Sequence, residues 1–196
     1  MSKLNSVLSK SDFSREDLVY LLSLSNKEDI DKFQQKAYDT TTSLLGNKVY
    51  YRGIVEFSNI CELDCLYCGI RKSNKKVERF FLKKEDIIDA ALWSAKMGYG
   101  SCVLQSGERQ DKFFIDFIED VIKEIKTQSK SDILPDGLGI TLSVGEQTKE
   151  TYQRFFDAGA HRYLLRVETT NPKLFKTIHA DNQNLENRVK SLEYLR

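Results

Sequence analysis

The sequence predicts an α/β fold, a partial (β/α) TIM-type barrel of about four parallel strands with outer helices, preceded by an N-terminal helical segment. Three observations predict it. Short β-branched or apolar runs at 49–57, 101–105, 138–143 and 161–168 alternate with amphipathic helical patterns, the mark of repeated βα units around a parallel sheet. Each run ends in polar or small residues, as strands do where their carboxyl ends share one rim. The chain of 196 residues is too short for a closed eight-stranded barrel, which takes roughly 250.

The elements follow in order. Ser14 precedes Asp17 by three positions, a capping-box start, and Leu18, Val19, Leu21 and Leu22 then predict a short helix over 15–24. A second helix is expected from Lys27 to about Leu45, with Ile30, Phe33, Ala37 and Tyr38 on one face and Gly46 as its stop. VYYRGIVEF reads as the first strand, and the loop 58–79 carries three cysteines. The helix 84–98 ends at Gly98, with Trp93 read as packing beside Ile87, Ile88, Ala91 and Leu92. Helices over 111–126 and 149–159 flank the strand 138–143, and 127–137 is a polar connector. After the fourth strand, Asn171 and Pro172 form an N-cap followed by proline at the first helical position. A last helical pattern, 184–196, carries no stop signal. The expected division is therefore an extension over 1–48 and the N-terminal half of a longer barrel over 49–196.

Thirty Lys and Arg against 29 Asp and Glu leave a net charge of +1, which argues against bulk capture of nucleic acid or an anionic membrane. No apolar run approaches the roughly 20 residues that span a bilayer. The first ten residues lack the apolar core of a signal peptide. The expected setting is cytoplasmic, where four cysteines point to metal or catalytic use ahead of disulfides.

The strongest local signal is CELDCLYC, a C-x3-C-x2-C spacing directly after a strand. Three thiolates within eight residues suit an iron–sulfur cluster or zinc. A structural zinc wants four protein ligands, which Cys102, His161 or His179 would have to complete. Cys102 sits in a short apolar strand and reads as a core residue; the two histidines read as surface or capping residues. Three cysteines on a cubane leave one iron open. Such an iron can chelate a substrate's amine and carboxylate and pass one electron into it. The other strand ends carry Gln105-Ser106-Gly107-Glu108, then Thr141, Ser143 and Gly145-Glu146, then Arg166-Val167-Glu168. Any one of these is equally a turn or a cap; together they suggest a shared site. The basic run 71–76 is read as a solvated loop.

These residues resemble a known family. CxxxCxxC after a strand is similar to the radical S-adenosylmethionine (SAM) signature. Together with EFSNICELDCLYCGIR, VLQSGE, TLSVGE and RYLLRVETTNP it resembles the HydE-type maturases of FeFe-hydrogenase, in the biotin-synthase-like branch. The resemblance implies that Cys61, Cys65 and Cys68 hold a 4Fe–4S cluster whose open iron binds SAM. It implies cofactor-binding roles for Tyr67, Gln105, Gly107, Glu108, Ser143, Glu168 and Arg188, and a substrate-facing role for Ser106, Thr141 and Arg166. It further implies reductive cleavage of SAM to a 5′-deoxyadenosyl radical, in maturation of the hydrogenase H-cluster. The substrate would be a small molecule or an organometallic iron species carrying cysteine, carbon monoxide and cyanide. A ferredoxin or flavodoxin would donate the electron, the run 71–76 being a candidate contact for SAM or that donor, and other hydrogenase maturases would be partners. Methylornithine synthase and biotin synthase are the neighbouring readings; the latter needs a second cluster, with no evident ligand beyond Cys102. A zinc-stabilised binding module is the reading of another class. One departure is Arg109, where the family usually has an acidic residue.

Overall fold

A computed structural model describes residues 2–196. The chain divides into two compact units, Met1–Val49 and Tyr50–Arg196.

The first unit holds α1 (Lys3–Leu8), α2 (Arg15–Leu22) and α3 (Lys27–Leu45). The capping box of α2 forms as its spacing predicts: the Ser14 hydroxyl accepts from the Asp17 amide and the Asp17 carboxylate accepts from the Ser14 amide. Leu4, Val7 and Leu21 make a small core, with Tyr20, Leu24 and Phe33 against it. Helix α1 was not predicted; six residues are too few to show a period, and its start is fixed by the Ser2 cap. Of the apolar face expected on α3, Phe33 packs on this core, whereas Tyr38 is 54% exposed.

The second unit alternates strand and helix: β1 (Gly53–Ser58), α4 (Lys84–Lys96), β2 (Ser101–Ser106), α5 (Lys112–Gln128), β3 (Gly139–Ser143), α6 (Lys149–Ala158) and β4 (Arg162–Tyr163), followed by α7 (Pro172–Ile178) and α8 (Leu185–Tyr194). The four strands are parallel and lie in chain order, β1-β2-β3-β4. Val55 and Phe57, Cys102 and Leu104, Ile140 and Leu142 enter one core with Ile87, Phe114, Ile118, Ile122, Ile125 and Phe155 from the helices. Because side chains alternate across a strand, Ile54 and Glu56, Val103 and Gln105, Thr141 and Ser143 line the other face.

Three expectations are corrected. Strand β1 starts at Gly53, not residue 49, because β2 offers its first partner, Cys102, opposite Gly53; Val49, Tyr50 and Tyr51 stay exposed. Strand β4 is two residues long, not eight. Its ladder closes with the Leu164 amide on the Leu142 carbonyl, the Arg166 carbonyl goes to the Arg188 guanidinium, and Glu168 turns into the left-handed region at φ 62°. Trp93 is 56% exposed and meets only Tyr99 edge-on among aromatic rings. It lies two residues past buried Ala91, a rotation of about 200° on the helix, and so points away from the core. Among the described residues no helix is long and apolar enough to cross a membrane.

The contrast between two bulky side chains is testable by urea unfolding. Ile122→Ala, at a fully buried position, should cost about 2–5 kcal/mol, and Trp93→Ala should stay within about 1 kcal/mol.

Candidate metal-cluster site

Residues 59–79 leave the carboxyl end of β1 and have no regular secondary structure of their own. Buried backbone groups in such a loop need partners; turns supply several, among them the Cys68 amide on the Cys65 carbonyl and the Lys72 amide on the Leu63 carbonyl, and two side chains add to them. The Arg79 guanidinium donates to four carbonyls, those of Asn59, Ile70, Arg71 and Asn74, at 2.5–3.2 Å. The Asn59 carboxamide donates to the Glu78 carbonyl and accepts from the Phe80 amide. Arg71 adds a bond to the Cys68 carbonyl at 3.1 Å. Arg79 was not singled out from sequence, where it is one of many charged residues; its role exists only once the loop closes.

All three cysteines of this loop are free and half-buried. Cys61 Sγ accepts from the backbone amides of Leu63 and Glu108, each at 3.4 Å. Cys65 Sγ lies 3.3 Å from Gln183 Oε1. Burial pushes the Cys61 and Cys65 thiols above their ordinary range. Gly107, at the end of β2, lets the loops meet: a Cβ there would lie 2.4 Å from the Ile60 carbonyl oxygen and 2.6 Å from Cys61 Cβ. Tyr67 stands edge-on to His179 at 5.5 Å, its hydroxyl 3.4 Å from His179 Nε2. Since Nδ1 faces the Phe175 carbonyl at 3.1 Å, which can only accept, Nε2 takes the phenol proton. Burial pushes the Tyr67 phenol up, with Cys65 and Glu168 adding to the effect. His179 is 3% exposed and stacked on Phe175 at 3.8 Å; of its two readings, surface or capping, the second holds, since it is the C-cap of α7.

Next to the loop lies a buried ionic pocket. The Glu108 side chain occupies the space a Cβ on Gly145 would fill, 2.2–2.4 Å from it, and Gly145 has φ 81°. Burial raises the Glu108 carboxyl to about 7, opposed by a hydrogen bond from the Glu146 backbone; the Glu146 charge adds to the rise and Arg188 counters it. Arg188, 6% exposed, binds Glu146 through Nε and the Arg166 carbonyl through Nη1. The predicted residues therefore fall into two groups. Glu108 and Arg188 converge with Glu146, which was noted only as a strand end. Gln105, Thr141 and Ser143 line the open face of the sheet, where Thr141 Oγ1 is buried without a partner. The Ser106 hydroxyl donates to the Gly107 carbonyl at 2.7 Å. Arg166 and Glu168 are exposed where the chain leaves β4.

Three thiols on one loop at the strand-end rim, followed by a parallel sheet with a polar face, are now joined by a family match: residues 55–196 match the radical SAM superfamily. The chain belongs to that superfamily. It is 38% identical over 186 residues to the FeFe hydrogenase maturase subunit HydE of Thermotoga maritima, covering 94% of this chain and 50% of that protein. Among solved structures, HydG from Carboxydothermus hydrogenoformans, an FeFe-hydrogenase maturase, superposes with a TM-score of 0.86 at 22% identity, over 98% of this chain and 44% of that one. Methylornithine synthase (PylB) gives 0.78 at 23% identity, over 99% and 55%. These two establish a shared fold. The chain spans about half the length of the curated relative it matches at 38% identity.

Radical SAM enzymes use a 4Fe–4S cluster and SAM, and the residues present fit a cluster. The donor set is three soft sulfurs, and Cys61 already receives two N–H donors of the kind that favour a thiolate. Among the described residues no three His, Cys, Asp or Glu side chains converge on a single-ion site. The fourth zinc ligands considered from sequence are also engaged elsewhere: Cys102 is in the core, His179 is held by Tyr67 and Phe175, and His161 stands edge-on to Phe156.

Alkylation separates the two classes of thiol. Cys102 is 1% exposed and burial raises it to about 11, so in the native apo protein at pH 8 it should react at least about tenfold more slowly than the loop cysteines. Mass mapping after iodoacetamide treatment checks this. Arg79→Ala should make the loop hypersensitive to limited proteolysis while leaving the far-ultraviolet circular dichroism of the helices near that of the parent.

Proposed function

We propose that this chain is the N-terminal half of a radical SAM enzyme of the HydE kind. Residues 1–48 would form a helical extension and 49–196 half of a TIM-type barrel, in a cytoplasmic protein. The observation that carries the reading is the C-x3-C-x2-C loop at the carboxyl rim of a four-stranded parallel sheet, with three free thiols and the fourth cysteine, Cys102, in the core.

Cys61, Cys65 and Cys68 would hold the cluster. Bound there, the cluster and SAM supply one-electron reductive cleavage of SAM to methionine and a 5′-deoxyadenosyl radical. The chain's own residues do the rest. Gly107 gives the second strand end close approach to Cys61, so that the Glu108 amide meets the sulfur. Tyr67 packs its ring at the loop, fixed by His179. Arg188, held by Glu146, would meet SAM together with Gln105, Glu108, Ser143 and Glu168. Thr141 offers an unspent hydroxyl on the face where, with Ser106 and Arg166, substrate would lie. The proposed substrate is the organometallic iron species of H-cluster assembly, supported by the 38% identity to a hydrogenase maturase. A low-potential ferredoxin or flavodoxin would supply the electron, and other hydrogenase maturases would be partners.

Anaerobic reconstitution with iron and sulfide tests the assignment. The parent chain should show a 4Fe–4S absorption band and, once reduced, an EPR signal that shifts on adding SAM. Cys65→Ala should lose most of the cluster. A Cys65→Ala protein with the parent's full signal would contradict the proposal.

A further inference from the structure

The end of α7 and the connector that follows it grip the cysteine loop at three successive positions. The Leu66 amide donates to the Ile178 carbonyl at 2.9 Å, the Tyr67 hydroxyl to His179 Nε2 at 3.4 Å, and the Cys65 thiol to Gln183 Oε1 at 3.3 Å. The last contact is unlike the others. Gln183 Nε2 is buried and has no hydrogen-bond partner, although buried amide donors are rarely left orphaned. As a ligand, Cys65 carries a thiolate, which has no proton to give and accepts hydrogen bonds only. The acceptor that Gln183 now presents would then face a second acceptor, while its unspent donor sits on the same carboxamide.

We propose that Gln183 is a positioning residue that turns its amide N–H onto the Cys65 sulfur when the cluster is bound, and thereby raises the cluster's reduction potential. The turn gives up a long bond from the Ala180 amide to Oε1, 3.3 Å in this state. It gains a charge-assisted bond, which is roughly twice as strong as a neutral one. It also ends the burial of an orphan donor at Gln183, at the cost of the half-buried Ala180 N–H losing this acceptor. Hydrogen bonds to cluster sulfurs are a recognised lever on potential, and they act because the reduced cluster carries more negative charge. This inference rests on the cluster assignment above.

The test is a redox titration of the anaerobically reconstituted full chain, followed by EPR, for the parent and Gln183→Leu. A parent chain that takes up no cluster refutes the assignment itself and this inference with it. With the parent loaded, the variant should take up cluster yet show an equilibrium constant for one-electron reduction lowered about threefold to tenfold, tenfold being about 59 mV. An unchanged potential would overturn the proposal even if the variant held less iron, because a purely structural role lowers cluster content alone. Should the variant hold no cluster, the parent decides. Electron–nuclear double resonance on parent protein with ¹⁵N-labelled glutamine should show an exchangeable proton and a ¹⁵N nucleus coupled to the reduced cluster. Their absence would overturn the proposal.

Discussion

The site depends on keeping an irregular loop closed around three half-buried sulfurs. A segment without helix or strand satisfies its buried backbone through turns and side chains together, and here a single guanidinium meets four of its carbonyls. Arginine suits the task because its planar fork presents five donors in fixed directions and remains charged when buried. Asn59 closes the base of the same loop, and the connector after α7 closes its far side. The three cysteines are thereby held as free thiols on the rim where the parallel strands end.

The sheet supplies the second half of the arrangement. Its helix-facing side is continuous apolar core, and its other side carries Glu56, Gln105, Thr141 and Ser143. The buried, unpartnered threonine hydroxyl on that side is a cost to folding. It is sustained here by packing on the opposite side, where Phe57, Ile122, Leu142 and Phe155 are almost wholly enclosed. Glu108, Glu146 and Arg188 link the two regions, since Glu108 touches Cys61 through its backbone and shares its buried pocket with Arg188. A displaced strand end would therefore be felt at the first cysteine.

What could be read from the sequence is what local pattern determines. Helix α5 repeats Phe114, Ile118, Ile122 and Ile125 along one stripe, and all four are buried. The cysteine spacing needs no tertiary context, and the strand ends are visible as breaks in apolar runs. Contacts made across long separations could not be read. Gln183 meets Cys65 across 118 residues, and His179 is buried because Tyr67 and Phe175 enclose it. The over-long fourth strand failed for a related reason: RYLLRVE has strand composition, but its ladder ends where Arg188 claims a carbonyl from another element. Trp93 shows the converse. A large aromatic in an amphipathic helix suggests packing, and only the helical phase reveals that it points outward.

One iron without a protein ligand is the defining feature of the proposed site. Mössbauer spectroscopy of the chain reconstituted with ⁵⁷Fe, before and after adding SAM, tests it most directly. About a quarter of the iron should move to the larger isomer shift of a site with nitrogen and oxygen ligands, as expected where three cysteines bind three of a cluster's irons. A spectrum that SAM leaves unchanged, with all irons equivalent, would contradict the account.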